Sequence, residues 1–258
     1  MAAKFEGKTV IVTGGASGIG LAIAKGFAGQ GARVCVADVA QDRCDAAARE
    51  IGAAAFGHAL DVRERRSIEK LVEDVAGKAG GVDILVNSAG VFGMQAFIDI
   101  TEAEFDRIYG VNARGLLFVT QIVARQMIKQ GRGGAIVNVA SGAGRRASPG
   151  ATIYSSSKAA VISITQAAAS ELIPHGIRVN AIAPGAVATP MWKQVEQEFS
   201  KVLNVPVGGA EAAQVGHTPA GRMATPEDQV GAVLFLASAE SAYVVGQTLN
   251  VDGGLYMN

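Results

Sequence analysis

The residues from Thr9 to Gly20 constrain the fold more than any other stretch of the chain. The run TVIVT at 9–13 is short and rich in β-branched side chains, as expected for a strand buried on both faces. It leads into the glycine-rich segment TGGASGIG, and apolar residues then recur at helical spacing over 17–27. A strand, a glycine turn and a helix in this order predict the first unit of a parallel α/β sheet.

The same alternation of strand and helix continues along the chain. Further strands are predicted at 33–38, 54–60, 82–86, 135–139, 177–183 and 248–251, and further helices at 42–51, 67–76, 101–129, 154–172 and 225–236. The pair Thr101 and Glu104 predicts a capping box at the start of one helix, and Thr225, Pro226 and Asp228 predict the start of the last one. Repeated units of this kind predict an α/β fold in which helices cover both faces of a doubly wound (Rossmann-type), parallel, seven-stranded sheet.

The repeated units also predict a single dinucleotide-binding and catalytic domain over residues 1–258. One segment, 190–222, departs from the alternation and contains Pro206, Gly208, Gly209 and Pro219. A long irregular stretch in a compact domain is more often a lid or a substrate loop than a simple connector. We therefore expect this segment to cover a substrate.

The glycine-rich turn indicates a site for a dinucleotide cofactor. Glycines let the backbone turn tightly and come close to a pyrophosphate, whose charge then meets the N-terminus of the following helix. Glycines also serve ordinary turns, but this turn lies in the first strand–helix unit and an acidic residue ends the second strand. The loop residues predicted to bind the cofactor are Gly14, Ser17, Gly18, Ile19 and Gly20.

Asp38 is predicted to select NAD over NADP. It ends the second strand, where its carboxylate can accept hydrogen bonds from both adenine-ribose hydroxyls. A 2′-phosphate there would place like charges close together, a repulsion on the order of 4 kcal/mol per pair of charges at an effective dielectric of about 20. No Arg or Lys occupies positions 39 and 40, or positions 16 and 17 in the loop. The alternative is a solvated aspartate that merely ends a strand.

Composition excludes several classes of partner. Lys plus Arg and Asp plus Glu number 23 each, so the formal net charge is zero and no basic face predicts binding to nucleic acid or to an anionic membrane. The chain lacks an apolar run of about 18 residues, and its first residues do not resemble a secretory signal, so we expect a cytoplasmic protein. Cys35 and Cys44 make neither a disulfide framework nor a metal site, and no metal is predicted.

The candidate catalytic residues are Ser141, Tyr154 and Lys158. At i and i+4 of a helix, Tyr154 and Lys158 lie on one face, where the ammonium can stabilise the phenolate. A phenol has a pKa of about 10, so it is a poor base near neutral pH without such help. Ser141 follows the predicted fifth strand and can donate to a substrate oxygen. A tyrosine and a lysine at this spacing also occur by chance in many proteins, so the pair depends on its context.

Several motifs in order resemble the short-chain dehydrogenase/reductase family over nearly the whole chain. They are TGGASGIG, Asp61-Val62, NSAG at 87–90, Asn112, Ser141, Tyr154-x-x-x-Lys158 and PGAVATP at 184–190. One departure is Ser88, which stands where the family usually has a second asparagine. The resemblance implies an oxidoreductase that uses a nicotinamide cofactor.

The resemblance also implies roles for individual residues. Asn112, Ser141, Tyr154 and Lys158 would form a catalytic tetrad, with Tyr154 as the base in oxidation and Lys158 also holding the nicotinamide ribose. Asn112 would anchor a water that links Lys158 to solvent, a role that rests on the resemblance alone because an asparagine inside a helix is otherwise satisfied by backbone. The remaining implied contacts with the cofactor are Asp61 and Val62 at adenine, Asn87, Ala89 and Gly90 along the cleft, and Pro184, Gly185, Val187 and Thr189 beside the carboxamide and pyrophosphate.

The second half of the chain is similar to bacterial polyol dehydrogenases of the sorbitol type. The similar strings are GRR at 144–146, QVGHTPAGRM at 214–223 and YVVGQTLNVDGG at 243–254. They imply NAD-dependent oxidation of a secondary alcohol of a sugar alcohol to the ketose. Reduction of a 3-oxoacyl thioester or another small ketone is one alternative, and a dinucleotide-binding sensor without turnover is another. Four side chains could bind substrate hydroxyls: Arg146, Trp192, Gln194 and His217. Each of them also fits an ordinary loop side chain without a role.

Two helices predict self-association. The helix that carries Tyr154 is nearly free of charge as far as Leu172, and the stretch 116–127 is similarly apolar. Only one side of each helix can pack on the sheet, so the other side needs a partner. We expect a homo-oligomer, a dimer or a tetramer.

Overall fold

A computed structural model describes residues 3–204 and 206–257, so the outermost ends of the predicted domain and residue 205 lie outside the described residues. Within them, one parallel sheet of seven strands has the order β3-β2-β1-β4-β5-β6-β7. This order confirms the predicted doubly wound fold. The strands are β1 (Thr9–Thr13), β2 (Arg33–Asp38), β3 (Ala55–Ala59), β4 (Ile84–Asn87), β5 (Gly134–Val139), β6 (Ile177–Pro184) and β7 (Thr248–Val251).

Nine α-helices lie in the described part of the chain. They are α1 (Gly18–Ala28), α2 (Gln41–Ile51), α3 (Arg65–Ala79), α4 (Glu102–Tyr109), α5 (Leu116–Gln130), α6 (Thr152–Leu172), α7 (Pro190–Leu203), α8 (Gly209–His217) and α9 (Val230–Ala237). A π-helical turn, Gly110–Gly115, joins α4 to α5, so the helix predicted over 101–129 is continuous but locally widened. A 3-10 turn capped by Thr225 and Asp228 precedes α9, as their spacing predicts.

Two apolar layers form the core, one on each face of the sheet. In β1, Ile11 packs with α3, α5 and α6, whereas Val10 and Val12 pack with α1 and α9. Strands β4 and β5 alternate in the same way. Successive side chains of a strand point to opposite faces, so strands that are apolar throughout require helices on both sides.

The segment 190–222, predicted to be irregular, is largely helical. Pro190 takes the first position of α7, and apolar residues at Trp192, Val195, Phe199 and Val202 give that helix one apolar face. Glu196 connects α7 to the start of α8, because its carboxylate accepts from the backbone N–H groups of residues 208 and 211 at 2.8 and 2.6 Å. The segment is therefore a compact pair of helices.

The capping box predicted at Thr101 is only half formed. The Thr101 hydroxyl accepts from the backbone N–H of Glu104 at 3.3 Å. The Glu104 carboxylate binds Arg107 instead of reaching back, and the backbone N–H of Thr101 donates to Gln95. A bidentate arginine is a stronger partner for a carboxylate than one amide N–H, which explains the difference.

Candidate active site

A cavity of about 650 Å³ opens at the carboxyl ends of the strands. The segments that follow β1, β2, β3, β4, β5 and β6 all contribute to its wall. Strands β2 and β4 lie on opposite sides of β1, so the strand order reverses there. The connections that follow β1 and β4 therefore diverge and leave a crevice between them. Parallel topology thus brings residues distant in sequence to one site.

Most of the predicted site residues line this cavity. Those that do are Gly14, Ser17, Gly18, Ile19, Gly20, Asp38, Asp61, Val62, Ala89, Gly90, Ser141, Tyr154, Lys158, Pro184, Gly185, Val187 and Thr189. Asn87 and Asn112 do not belong to its wall.

Tyr154 and Ser141 meet at the inner end of the cavity. Tyr154 lies in the first turn of α6 and hydrogen bonds with Ser141, which follows β5. The Ser141 hydroxyl also accepts from the backbone N–H of Ala143 at 3.1 Å, which fixes its position. Burial raises the pKa of the Tyr154 phenol above its ordinary value, and the bond with Ser141 acts in the opposite direction.

Lys158 lies one helical turn beyond Tyr154 and is 5% exposed. Its ammonium donates to the carbonyl of Val139 at 2.8 Å and lies 6.0 Å from the centroid of the Tyr154 ring. Burial lowers the pKa of Lys158 from 10.5 to about 8. Burial dominates the Tyr154 pKa in this structure, so the predicted lowering of that pKa by Lys158 is not seen here and stays a prediction.

We expect Lys158→Met to stabilise the fold near neutral pH. Unfolding returns Lys158 from a pKa of about 8 to 10.5, so the unfolded chain binds the proton more tightly and the buried charge costs stability below pH 8. This cost is about 3 kcal/mol, partly offset by the bond to Val139. The variant should gain about 1–2 kcal/mol in urea unfolding at pH 7, and the gain should disappear between pH 8 and pH 10.5. As a control, Lys201→Met at an exposed position should change the free energy of unfolding by no more than about 0.5 kcal/mol. A destabilised Lys158→Met variant at pH 7 would contradict the burial argument.

The side chain of Asn112 lies behind the cavity. It is 1% exposed and sits in the π-helical turn. Its amide accepts from the N–H of Val91 at 2.9 Å and donates to the Val91 carbonyl and to Ser157 at 2.9 and 3.0 Å. Both amide protons are therefore engaged, so the side chain holds the 91 segment against α6. Its role in anchoring a water remains a prediction.

Asn87 also lies behind the wall that it was predicted to form. It is 2% exposed and donates to Thr120 and Asn138, both at 2.9 Å, and Asn138 donates to Thr165. This buried polar chain connects β4 and β5 to α5 and α6. The neighbouring residue Ser88 lines the cavity where Asn87 was predicted to do so.

The glycine turn fits a pyrophosphate. A Cβ atom on Gly14 would lie 2.8 Å from the backbone of Ala89, and one on Gly20 would overlap the carbonyl oxygen of Gly14. Only glycines therefore let the turn close against β4 and the start of α1. Ser17 makes no side-chain cap at the N-terminus of α1, so the helix presents its first N–H groups to the cavity.

The opposite end of the cavity suits an adenosine. The Asp38 carboxylate accepts from the N–H groups of residues 16 and 39 at 3.3 and 2.8 Å, one bond to each oxygen, and keeps lone pairs for ribose hydroxyls. Asp61 is held by Arg63 at 2.6 Å, which lowers the Asp61 pKa. Arg43 of α2 also lines this end and lies 3.4 Å from the Ser17 hydroxyl. The sequence argument missed Arg43, although the first turn of α2 must lie beside the end of β2.

The end of the cavity beyond Tyr154 is mostly apolar. Phe92 contacts the Tyr154 ring edge to face at 4.9 Å, and Val195 and Phe199 of α7 pack into the same cluster. Trp192 lines the cavity. Gln194 instead donates to the Phe92 carbonyl and to Glu198, and neither Arg146 nor His217 belongs to the wall. The helical spacing of Trp192, Val195 and Phe199 was the available signal for this surface.

Among residues 3–204 and 206–257, no group of three or more His, Cys, Asp or Glu side chains has the arrangement to hold a metal ion. None of the helices in these ranges is long and apolar enough to cross a membrane. Cys35 and Cys44 are both buried and free, and His58 lies on the edge strand β3, where it pairs with Asp74.

Known proteins resemble this chain over almost its full length. A family model described as enoyl-(acyl carrier protein) reductase matches residues 14–256. The chain is 45% identical over 255 residues to a sorbitol dehydrogenase of Cereibacter sphaeroides, covering 99% of this chain and 100% of that one. It is 44% identical to a galactitol 2-dehydrogenase of Agrobacterium fabrum, with the same coverage of 99% and 100%. A crystal structure of a short-chain type dehydrogenase/reductase from Mycobacterium marinum matches with a TM-score of 0.91 and 34% identity, covering 100% of this chain and 98% of that one. With its parallel sheet, glycine turn and Tyr154–Lys158 pair, the chain belongs to the short-chain dehydrogenase/reductase family.

Proposed function

We propose that this protein is an NAD-dependent dehydrogenase that oxidises a secondary alcohol of a sugar alcohol to the ketose, reversibly. The observation that carries the proposal is that one cavity contains Ser141, Tyr154 and Lys158 at one end and Asp38 at the other. A cofactor extended between these ends would bring its reactive ring to the phenol. The relatives named for sorbitol and galactitol support a polyol as substrate.

The chain's own residues have to orient the alcohol and move one proton. A nicotinamide cofactor supplies the acceptor for the hydride that leaves the alcohol carbon. Ser141 hydrogen bonds to the alcohol oxygen, and the Tyr154 phenolate removes the proton from that oxygen as the C=O bond forms. Lys158, with its low pKa of about 8, stabilises the phenolate and can exchange a proton with solvent. In the reverse direction Tyr154 returns the proton to the new alkoxide.

The carboxylate of Asp38 underlies the choice of NAD over NADP. We expect purified protein to prefer NAD by at least about tenfold in kcat/KM, because a 2′-phosphate would be repelled. Asp38→Ala should reduce this preference, since Arg43 and the Ser17 hydroxyl remain at the same end of the cavity. The measurement is kcat/KM for both cofactors with one alcohol. A wild-type preference for NADP would contradict the assignment.

A substrate panel tests the reaction itself. Sorbitol, xylitol, galactitol, mannitol and simple diols are supplied with NAD while NADH absorbance is followed. Turnover of at least one polyol with kcat/KM well above that of a monohydric secondary alcohol is expected. Tight NAD binding without turnover of any alcohol would favour a sensor and overturn the proposal.

Reduction of an acyl thioester is the second candidate. Relatives named as 3-oxoacyl-[acyl-carrier-protein] reductases favour it, and the apolar wall formed by Phe92, Val195 and Phe199 could contact an acyl chain. Asp38 counts against it, because reductive members of the family generally use NADPH. Activity confined to 3-oxoacyl thioesters with NADPH would establish this candidate in place of the first.

We further propose that the protein self-associates. Leu117 and Ile128 on α5 are 42% and 40% exposed, and β7 is an edge strand whose Leu249 is 43% exposed. Apolar groups on helices and an open sheet edge are surfaces that a second copy can cover. Sedimentation at micromolar concentration should give a dimer or a tetramer, and a monomer under those conditions would refute this.

A further inference from the structure

Trp192 lies where a substrate would extend beyond Tyr154. It follows the first residues of α7, and its ring lines the cavity. Val195 and Phe199 are three and seven positions farther along the same helix and pack on the buried cluster of Phe92, Met94 and Ala151, on which Tyr154 also packs. Residues at this spacing share one helix face. The Trp192 ring therefore faces the same space as the catalytic phenol.

The indole N–H of Trp192 has no partner. Its Nε1 atom is buried, and no hydrogen-bond acceptor lies within reach among the described residues. A buried donor without an acceptor is unfavourable, and such groups in native structures call for an explanation. The side chains of Phe92, Val195 and Phe199, which line the same cavity as Trp192, contain no oxygen or nitrogen. A bound molecule can supply the missing acceptor.

We propose that Trp192 is a specificity-determining residue whose indole N–H donates to a substrate oxygen on a carbon other than the reacting one. This inference rests on the proposed function and narrows its substrate class. Ser141 and Tyr154 hold the reacting oxygen, so the alcohol must carry a second oxygen for Trp192. A sugar alcohol carries a hydroxyl on every carbon and so offers a second oxygen, whereas a monohydric alcohol has no second oxygen.

The protein atoms over Nε1 have to move slightly for this bond to form. Trp192 lies on α7, which is followed by Asn204 in a left-handed conformation (φ 54°). The two hydrogen bonds from residues 208 and 211 to Glu196 hold α8 to α7, so the two helices move together. The proposal therefore requires that substrate binding displaces this helix pair enough to bring the N–H to the cavity.

Trp192→Phe is the first test, because it keeps an aromatic ring and removes the donor. We expect kcat/KM for polyols to fall about tenfold, mainly through KM, because an uncharged hydrogen bond is lost. For a monohydric secondary alcohol such as 2-butanol, kcat/KM should stay within about twofold. Tyr243→Phe, which removes a hydroxyl from a fully exposed ring, is the matched control. It should leave kcat/KM unchanged for both the polyol and 2-butanol. An equal fall for both alcohols would mean that the indole only packs, and no fall for polyols would exclude the bond.

Fluorescence provides a second readout that does not need turnover. Trp192 is the only tryptophan in the chain, so tryptophan emission reports this one ring. In Tyr154→Phe protein loaded with NAD, addition of a polyol should shift the emission maximum to longer wavelength as the N–H gains an acceptor. Addition of 2-butanol should not. Identical responses to both alcohols would contradict the proposal.

The two hypotheses can fail separately. If the wild-type protein oxidises polyols and Trp192→Phe does not discriminate, only the role of Trp192 falls. If the wild-type protein oxidises no polyol, the proposed function falls, and the same variant is then compared on a 3-oxoacyl thioester and a simple ketone. The thioester carries a second oxygen, so Trp192→Phe should again reduce its kcat/KM selectively, and equal effects would exclude the donor role.

Discussion

Tyr154→Phe should abolish nearly all turnover while NAD still binds with close to normal affinity. The change removes only the phenolic oxygen, and the ring can keep its edge-to-face contact with Phe92 at 4.9 Å. Proton transfer by a positioned side chain typically contributes 10²- to 10⁴-fold, so we expect kcat to fall about 1,000-fold. Steady-state kinetics gives this value, and titration of NAD by calorimetry gives the affinity.

Two comparisons make the Tyr154 result specific. Tyr109→Phe alters a ring that stacks on Phe105, away from the cavity, and should leave kcat within about twofold. The Tyr154→Phe variant should unfold at the same urea concentration as wild type to within a small margin. Residual turnover above about one tenth of the wild-type rate would show that the phenol is not the proton acceptor.

Gly20→Ala should prevent the glycine turn from closing on a cofactor. The added Cβ would overlap the carbonyl oxygen of Gly14, which belongs to backbone and cannot rotate away. The turn must then shift away from α1. Overpacking of this kind costs about 1–3 kcal/mol, and if most of it falls on the bound state the Kd for NAD rises about 100-fold.

Gly77→Ala is the matched control for Gly20→Ala. Gly77 lies on the exposed face of α3, and a Cβ atom there would contact nothing within 4 Å. This change should leave the Kd for NAD unchanged and raise stability by about 0.5–1 kcal/mol through helix propensity. If Gly20→Ala binds NAD as tightly as Gly77→Ala does, the turn does not hold the pyrophosphate.

Local sequence patterns were sufficient for the sheet, and most of the residues predicted for the site, several of them through the family resemblance, line the cavity. Buried strands such as TVIVT at β1 are recognisable because both faces are covered and every residue is apolar or β-branched. The carboxyl ends of those strands meet at one edge of the sheet, so the sequence alone assigns Asp38, Ser141 and the glycine turn to one site.

Three features depended on contacts between distant segments. Asn87 ends β4 and Asn112 lies in the π-helical turn, and only the fold shows that Asn112 bonds to Val91 and that the Asn87 amide group donates to Thr120 and Asn138. Prolines and glycines in 190–222 suggested a loop, whereas tertiary contacts of Glu196 and of the apolar face of α7 keep the segment helical. A missing partner, as for the indole N–H of Trp192, cannot be read from sequence at all.

The pKa of Tyr154 in the NAD-loaded protein tests the central claim most directly. The chain has four tyrosines, so the tyrosinate absorbance of wild type minus that of Tyr154→Phe isolates one phenol during a pH titration. Burial, only partly opposed by Ser141, holds this pKa above its ordinary value of 10.0. The account predicts that, with NAD bound, Lys158 and the positive nicotinamide bring it below 10, and that Lys158→Met cancels the decrease. A Tyr154 pKa that stays above 10 in the NAD complex of the wild-type protein would contradict it, as would a pKa below 10 in the NAD complex of Lys158→Met.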